Sequence, residues 1–214
     1  MTRTEMLANV RTSIDEATAS FWTDTEIYLA LTNGQQEAAN YFLNIYKVKS
    51  KDDLSVPIPQ PLEVLYKVAS ATTTTGIVDK PSDYWHLLSA SYAYTGGLTG
   101  TFYNCRIERF SASMFFNINN TYLAATATSP IVYDVYSTSH KFYFRPDTSG
   151  TGAYALNYLK TPTAITASVD PELAVQTHTA IVHFAVAQML LKDQRPQEAQ
   201  LFLQNFINEL QMIG

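Results

Sequence analysis

Residues Phe21 to Tyr46 constrain what this chain can fold into more than any other stretch. They open with Phe-Trp-Thr-Asp-Thr-Glu-Ile. Thr23 is placed to cap a helix, and Glu26, three residues on, returns a carboxylate to the cap's own N–H. Trp22 and Ile27 flank that box as a hydrophobic staple. From Thr23 onward Ile27, Leu31, Ala38, Phe42 and Ile45 recur at three- and four-residue steps, an apolar stripe along one side of a long helix. Gly34 completes the stripe at a point where another element can approach closely. A helix of this kind needs a partner along its whole length, and the rest of the chain must supply it.

Two regions answer that need. Thr4 to Ala17 reads as a short amphipathic helix, with Leu7, Val10 and Ile14 on one side and Arg11, Asp15 and Glu16 on the other. Near the other end, Asp170 is expected to cap a helix with Pro171 at its first position and Glu172 in its first turn, running to Leu191 and apolar on most faces. Lys192 to Arg195 is a tight connection, and Pro196 opens a last helix on Ala199, Leu203, Phe206, Leu210 and Ile213.

The middle of the chain differs. Lys47 to Pro61 reads as a charged patch followed by a proline-rich extended connector, and Leu62 to Ser70 as a short helix on Leu62, Leu65, Tyr66 and Ala69. From Ile77 the pattern becomes that of strands: Tyr84–Tyr94, Thr101–Phe110, Val132–Ser137, Lys141–Arg145 and Tyr154–Lys160, broken by Gly96-Gly97, Gly100, Pro130, Pro146 and the loop from Asp147 to Gly152. A short helix on Met114, Phe115 and Ile118 is expected between Ser111 and Leu123. The fold class is therefore α+β: N- and C-terminal helices pack into one helical bundle, with a central inserted antiparallel β-sheet or sandwich module of about five or six strands. The expected divisions are 1–61 for the N-terminal part of the bundle and its connector, 62–168 for the β-rich module and 169–214 for the closing helical hairpin.

Charge narrows the function classes. Asp, Glu, Lys and Arg make up 15% of the chain, against roughly 25% in ordinary soluble domains. Between Trp85 and His140 the only charged residues are Arg106, Glu108, Arg109 and Asp134. Isolated sheets usually protect their edges with charge or proline, so a sheet this neutral is suited to neighbours. The net charge of −5 gives no basic stripe for phosphates, which argues against binding nucleic acid by counterion release. No apolar run reaches the ~20 residues of a membrane span, and the N-terminus lacks a signal peptide's apolar region. A soluble protein made in a cytoplasm is expected.

Candidate chemistry is sparse. His178 and His183 lie five residues apart, about 140° around a helix, unlike the spacing that aims two imidazoles at one metal. Asp83 and His86 bracket Tyr84-Trp85 but have no nucleophile or second carboxylate in a motif context. Gly96 to Gly100 lacks a phosphate loop's lysine and reads as a hairpin connection. Cys105, the only cysteine, excludes an internal disulfide and sits in a strand pattern as a packing residue. Asn119-Asn120-Thr121 matches a glycosylation acceptor that matters only in a secreted chain. No catalytic residue, metal ligand or cofactor site is assigned.

The order of segments resembles that of the head-tail adaptor, or head-completion, proteins of tailed bacteriophages. Four stretches carry the resemblance: Phe21 to Ile27 with Asn33-Gly-Gln-Gln-Glu-Ala; Gly76-Ile-Val-Asp-Lys-Pro-Ser-Asp-Tyr-Trp-His-Leu; Pro130 through Lys141-Phe-Tyr-Phe-Arg-Pro to Tyr158-Leu-Lys-Thr-Pro; and the closing helices with Arg195-Pro-Gln-Glu-Ala. The inserted β module is larger than in plain helical adaptors. The resemblance implies a structural virion protein of the neck, assembled in the host bacterial cytoplasm. It implies a homo-oligomeric ring, by analogy a dodecamer, beneath the portal protein, offering a platform to a downstream tail component. DNA would pass through such a ring without sequence-specific binding, and no membrane, cofactor or enzymatic activity is implied. An all-round apolar helix is the kind of surface that subunit contacts bury, which makes Ile181, Phe184 and Met189 candidate interface residues. By analogy, Leu210, Met212 and Ile213 are candidates for a portal-docking tail. The alternatives are another tail or collar ring component, a receptor- or carbohydrate-binding β-rich virion protein, or a hydrolase built on Asp83 and His86.

Overall fold

The structure, a computed structural model, describes residues 1–16, 21–50, 56–111, 125–136 and 140–213. They form two compact units, one of residues 1–65 and 161–214 and the other of residues 66–160. The α+β class is observed, with helices in the first unit and two β-sheets in the second.

The helical unit is built around α4 (His178–Lys192), which packs against α1 (Arg3–Ser13), α2 (Asp24–Ser50) and α5 (Pro196–Ile213). That position explains why α4 is apolar on most faces: Ala180, Ile181, Val182, Ala185, Val186, Ala187, Met189 and Leu190 are all buried. The stripe on α2 behaves as its spacing predicts, with Ile27, Leu31, Ala38 and Phe42 fully buried. At Gly34 the approach of α4 is closest, because a Cβ there would lie 2.9 Å from the Ile181 carbonyl oxygen and 3.3 Å from Phe184 Cβ. The capping box at Thr23 is formed: the Glu26 N–H donates to Thr23 Oγ1 at 3.3 Å and the Thr23 N–H to Glu26 Oε2 at 3.1 Å. A second box starts α1, where Thr2 caps and Glu5 answers. α5 begins at Pro196 after the turn through Asp193 and Gln194, as expected.

Several local expectations are corrected. α2 continues past Tyr46 to Ser50, where Lys47 and Lys49 occupy the last turn and complement the helix dipole; residues 51–55 of the expected charged patch lie outside the described residues. α1 ends at Ser13, and Arg11, expected on its polar side, is buried. Its guanidinium donates to the Trp22 carbonyl at 3.0 Å and to Asp24 at 2.5 Å, so it ties α1 to the start of α2. Asp170 does not cap a helix, since Asp170 Oδ1 accepts from the Arg3 N–H and side chain, and helix resumes only at a 3-10 turn over Val175–Thr177. Residues 161–174 instead lie along α2. There the buried Gln35 donates to the Thr163 carbonyl at 2.8 Å and accepts from the Glu172 N–H at 2.7 Å.

In the second unit, helix is expected up to Ser70, but α3 is only Gln60–Glu63, outside this unit, and Tyr66–Thr73 forms a strand, β1. The others are β2 (Ile77–Asp79), β3 (Tyr84–Ala93), β4 (Tyr103–Asn104), β5 (Arg106–Ser111), β6 (Ile131–Tyr136), β7 (Lys141–Arg145) and β8 (Gly152–Lys160). One sheet has the order β1-β8-β3-β4 and is antiparallel, while the other has the order β2-β7-β6-β5. The second departs from the antiparallel expectation because β5 and β6 run parallel. Leu87, Tyr92 and Leu156 from one sheet and Val132, Phe142 and Phe144 from the other share a single core, so the two sheets form a sandwich. The short helix expected on Met114, Phe115 and Ile118 falls outside the described residues, as does Asn119.

Candidate functional site

The residues with the best claim to chemistry on sequence grounds are held in structural contacts. Asp83 accepts from Tyr158 Oη at 2.9 Å and pairs with Lys67 Nζ at 3.1 Å. Its partial burial works to raise the carboxyl's pKa, but the hydrogen bonds from Lys67 and Tyr158 outweigh that and hold it below the ordinary value. His86 is buried within the β unit. In the helical unit His178 is buried, with Nε2 2.9 Å from the Leu173 carbonyl and Nδ1 3.0 Å from the N-terminal amine. His183 lies 3.3 Å from Glu209 on the neighbouring helix α5. Among the described residues no group of three or more His, Cys, Asp or Glu side chains is arranged to hold a metal ion. Cys105 is buried, and burial pushes its thiol up to about 12, so it is no nucleophile at neutral pH.

One polar constellation in the β unit is not legible in the sequence. Lys80 Nζ, just after β2, contacts Asp134 Oδ1 on β6 at 2.5 Å, and Tyr84 Oη on β3 donates to Asp134 Oδ2 at 2.7 Å. Lys80 and Asp134 side chains are 7% and 2% exposed, and the ammonium sits 4.9 and 5.0 Å from the Tyr84 and Phe142 ring centroids. Burial, and then the charge of Asp134, raise the Tyr84 phenol well above its ordinary range, so it stays a donor. Arg109 on β5 adds a bond to the Leu87 carbonyl of β3 at 3.0 Å. These contacts join the two sheets of the sandwich. Asp134 lies 54 and 50 positions from Lys80 and Tyr84, so no local spacing reveals the cluster.

The remaining functional candidates are surfaces. Of the residues expected at a subunit interface, Ile181 and Met189 are 0% and 2% exposed inside the helical unit, and Phe184 packs on Phe206 with ring centroids 5.1 Å apart. Of the expected docking tail, Leu210 is buried in the same unit, whereas Met212 is 80% exposed and α5 stays helical through Ile213. The outer face of α5 carries a signal that its inward stripe obscures. From Gln200 onward its exposed side chains are Gln200, Leu201, Gln204, Ile207, Asn208, Gln211 and Met212, none of them charged. The one acidic residue in that span, Glu209, is only partly exposed and lies 3.3 Å from His183. Leu201 and Met212 are eleven residues apart, which places them within about 20° of each other around the helix. Solvated helix faces normally carry charge on roughly a quarter to a third of positions. A face made of amides and three large apolar side chains, Leu201, Ile207 and Met212, is suited to contact with protein.

With neither a metal cluster nor an activated nucleophile among the described residues, the comparison with known families decides the class. The family model of the SU10 adaptor protein matches residues 1–213. The chain belongs to this adaptor family. It is thus a bacteriophage structural adaptor protein, a component of the virion that associates with other head or tail proteins. No curated protein matches the chain. Membership directs attention to the surfaces. No helix among the described residues is long and apolar enough to cross a membrane.

Proposed function

We propose that this adaptor forms a homo-oligomeric ring beneath the portal, joins the phage head to the tail, and continues the channel through which DNA passes. The portal's usual twelve-fold symmetry makes a dodecamer the expected assembly. The observation that carries the docking part of this reading is the outer face of α5 from Gln200 onward, free of exposed charge, with Leu201 62% and Met212 80% exposed. A net charge of −5 supports the channel, since an acidic wall lets DNA slide without adhering. In this reading the helical unit docks to the portal through α5, and the β unit supplies contacts to neighbouring copies and to the downstream tail component. Ile181, Phe184 and Met189 serve the interface indirectly, by holding α4 against α5 so that the outer face keeps its shape.

The test is cosedimentation of the purified chain with assembled portal, comparing wild type with the double variant Leu201→Asp/Met212→Asp. Both side chains are exposed, so the thermal midpoint should barely move, surface substitutions usually costing less than about 0.5 kcal/mol. Loss of cosedimentation with folding intact is the expected result. Wild-type cosedimentation by the variant would remove this face from the docking surface.

A further inference from the structure

The edges of the sandwich are treated unequally. Each of its two sheets ends in one short and one long strand: β4 has two residues and β2 has three, whereas β1 has eight and β5 has six. Short edges are a common protection against unwanted strand addition, as are lysine, proline and bulges. β1 has little of this. It pairs with β8 through eight consecutive residues, from Tyr66 opposite Leu159 to Thr73 opposite Gly152, with no shift of register. It contains no proline, and its one lysine, Lys67, is engaged 3.1 Å from Asp83. Its outer face is exposed, with Tyr66 42% and Val68 59% accessible, while Ala69 packs on the core. Among the described residues no strand pairs with its far side.

The two long edges also lie on opposite flanks. β1 turns directly into β2 through residues 74–76, so these two share one flank. β4 leads through Cys105 into β5, so these two share the other. β5 has the same facing as β1, with Ile107 packed on the core and the Arg106–Glu108 ion pair, 2.9 Å, on the outer side. Among the described residues the chain thus carries two long strand edges, one in each sheet, pointing away from each other, with the charges of Arg106, Glu108 and Lys67 each paired within the chain. Two different complementary patches on opposite sides are what a head-to-tail interface requires, and such interfaces close into rings when the rotation permits. Main-chain hydrogen bonds supply the affinity in strand addition without any charged side chain.

We infer that β1 of one copy adds to β5 of the next, so that the first sheet of each sandwich continues into the second sheet of its neighbour. This rests on the ring reading above and names its lateral contact.

The test uses the full-length chain, first establishing by native mass spectrometry that the wild type forms a ring, alone or on assembled portal. Val68→Lys/Ser70→Lys places the missing lysines on the exposed face of β1 without touching the core. It should keep the wild-type thermal midpoint and circular dichroism but lose the ring. In parallel, Val68→Cys/Glu108→Cys and Ser70→Cys/Glu108→Cys are oxidised in the assembled state. The native Cys105 is buried and gives little background. A ladder of covalent oligomers beyond the dimer in at least one pair is expected. A lysine variant that assembles like wild type, the absence of crosslinks in both pairs, or dimers from Val68→Cys alone, which would mean β1 pairing with β1, each overturns the inference. A wild-type chain that forms no ring in either condition instead brings down the ring reading itself, and this inference with it.

Discussion

At the scale of single residues, Gly34 is where the helical unit has least tolerance. Alanine is about 1 kcal/mol better than glycine inside a helix, so Gly34→Ala should stabilise an isolated α2. In the folded chain its Cβ would meet the Ile181 carbonyl at 2.9 Å, a backbone atom that cannot rotate away. Overpacking of that kind costs roughly 1–3 kcal/mol. Gly34→Ala is therefore predicted to lower stability in urea despite the better helix propensity, and a variant as stable as wild type would show that α2 and α4 pack less closely than described. His178 gives a second residue-level prediction. Burial lowers its pKa from the ordinary 6.5, against the opposing pull of the hydrogen bond to the Leu173 carbonyl. Below pH 6.5 the unfolded chain then binds more protons at this site than the folded one. Its contribution is fully present above pH 6.5 and is lost as pH falls through the folded value. Urea midpoints at two pH values either side of 6.5 should fall further for wild type than for His178→Gln. An equal fall in both proteins would contradict the assignment.

At the scale of elements, the sandwich is held by apolar packing and by one buried polar staple. Removing one member of a buried ion pair typically costs about 3–5 kcal/mol, because the other charge is left in a medium that cannot solvate it. Asp134→Ala, which strands Lys80 among aromatic rings, is expected to cost that much, whereas Lys80→Met/Asp134→Leu should recover most of it. Denaturant melts of the single and double variants read the comparison directly, and additive losses would show that the pair is not coupled. The elements themselves were legible where one local signal settled the matter. The capping box at Thr23 and Glu26, the stripe on α2, the glycine for close approach, the alternation in Lys141–Arg145 and the start of α5 at Pro196 are all observed. Misreadings came where a long-range partner overrides the local pattern. Leu62, Leu65, Tyr66 and Ala69 have helical spacing, yet pairing with β8 draws Tyr66 and Ala69 into a strand. Asp170 and Pro171 make a good helix start, but Gln35 and Arg3 claim the backbone and carboxylate there. The Lys80–Asp134–Tyr84 staple joins residues some fifty positions apart, and no local window contains it.

At the scale of the whole molecule, the chain keeps its polar chemistry internal and its long surfaces neutral. Asp83, Asp134, His178 and His183 are all engaged in contacts within their own unit, while the outer face of α5 and the edge of β1 are left without free charge. Neutral surfaces of this kind are suited to contact with other proteins rather than to attracting a charged ligand. That distribution fits a protein whose partners are other proteins, as membership of a phage adaptor family requires. Of the docking-tail candidates taken by analogy, Leu210 is buried and Met212 exposed, and the outer face of α5 shows only once the inward stripe of Ala199, Phe206 and Leu210 is fixed. The most direct test of the central claim is native mass spectrometry of the full-length chain, alone and mixed with the assembled portal of the same phage. The account predicts a complex carrying one adaptor per portal subunit, with the adaptors in a closed ring. A chain that remains monomeric and leaves the portal bare in both conditions would contradict it.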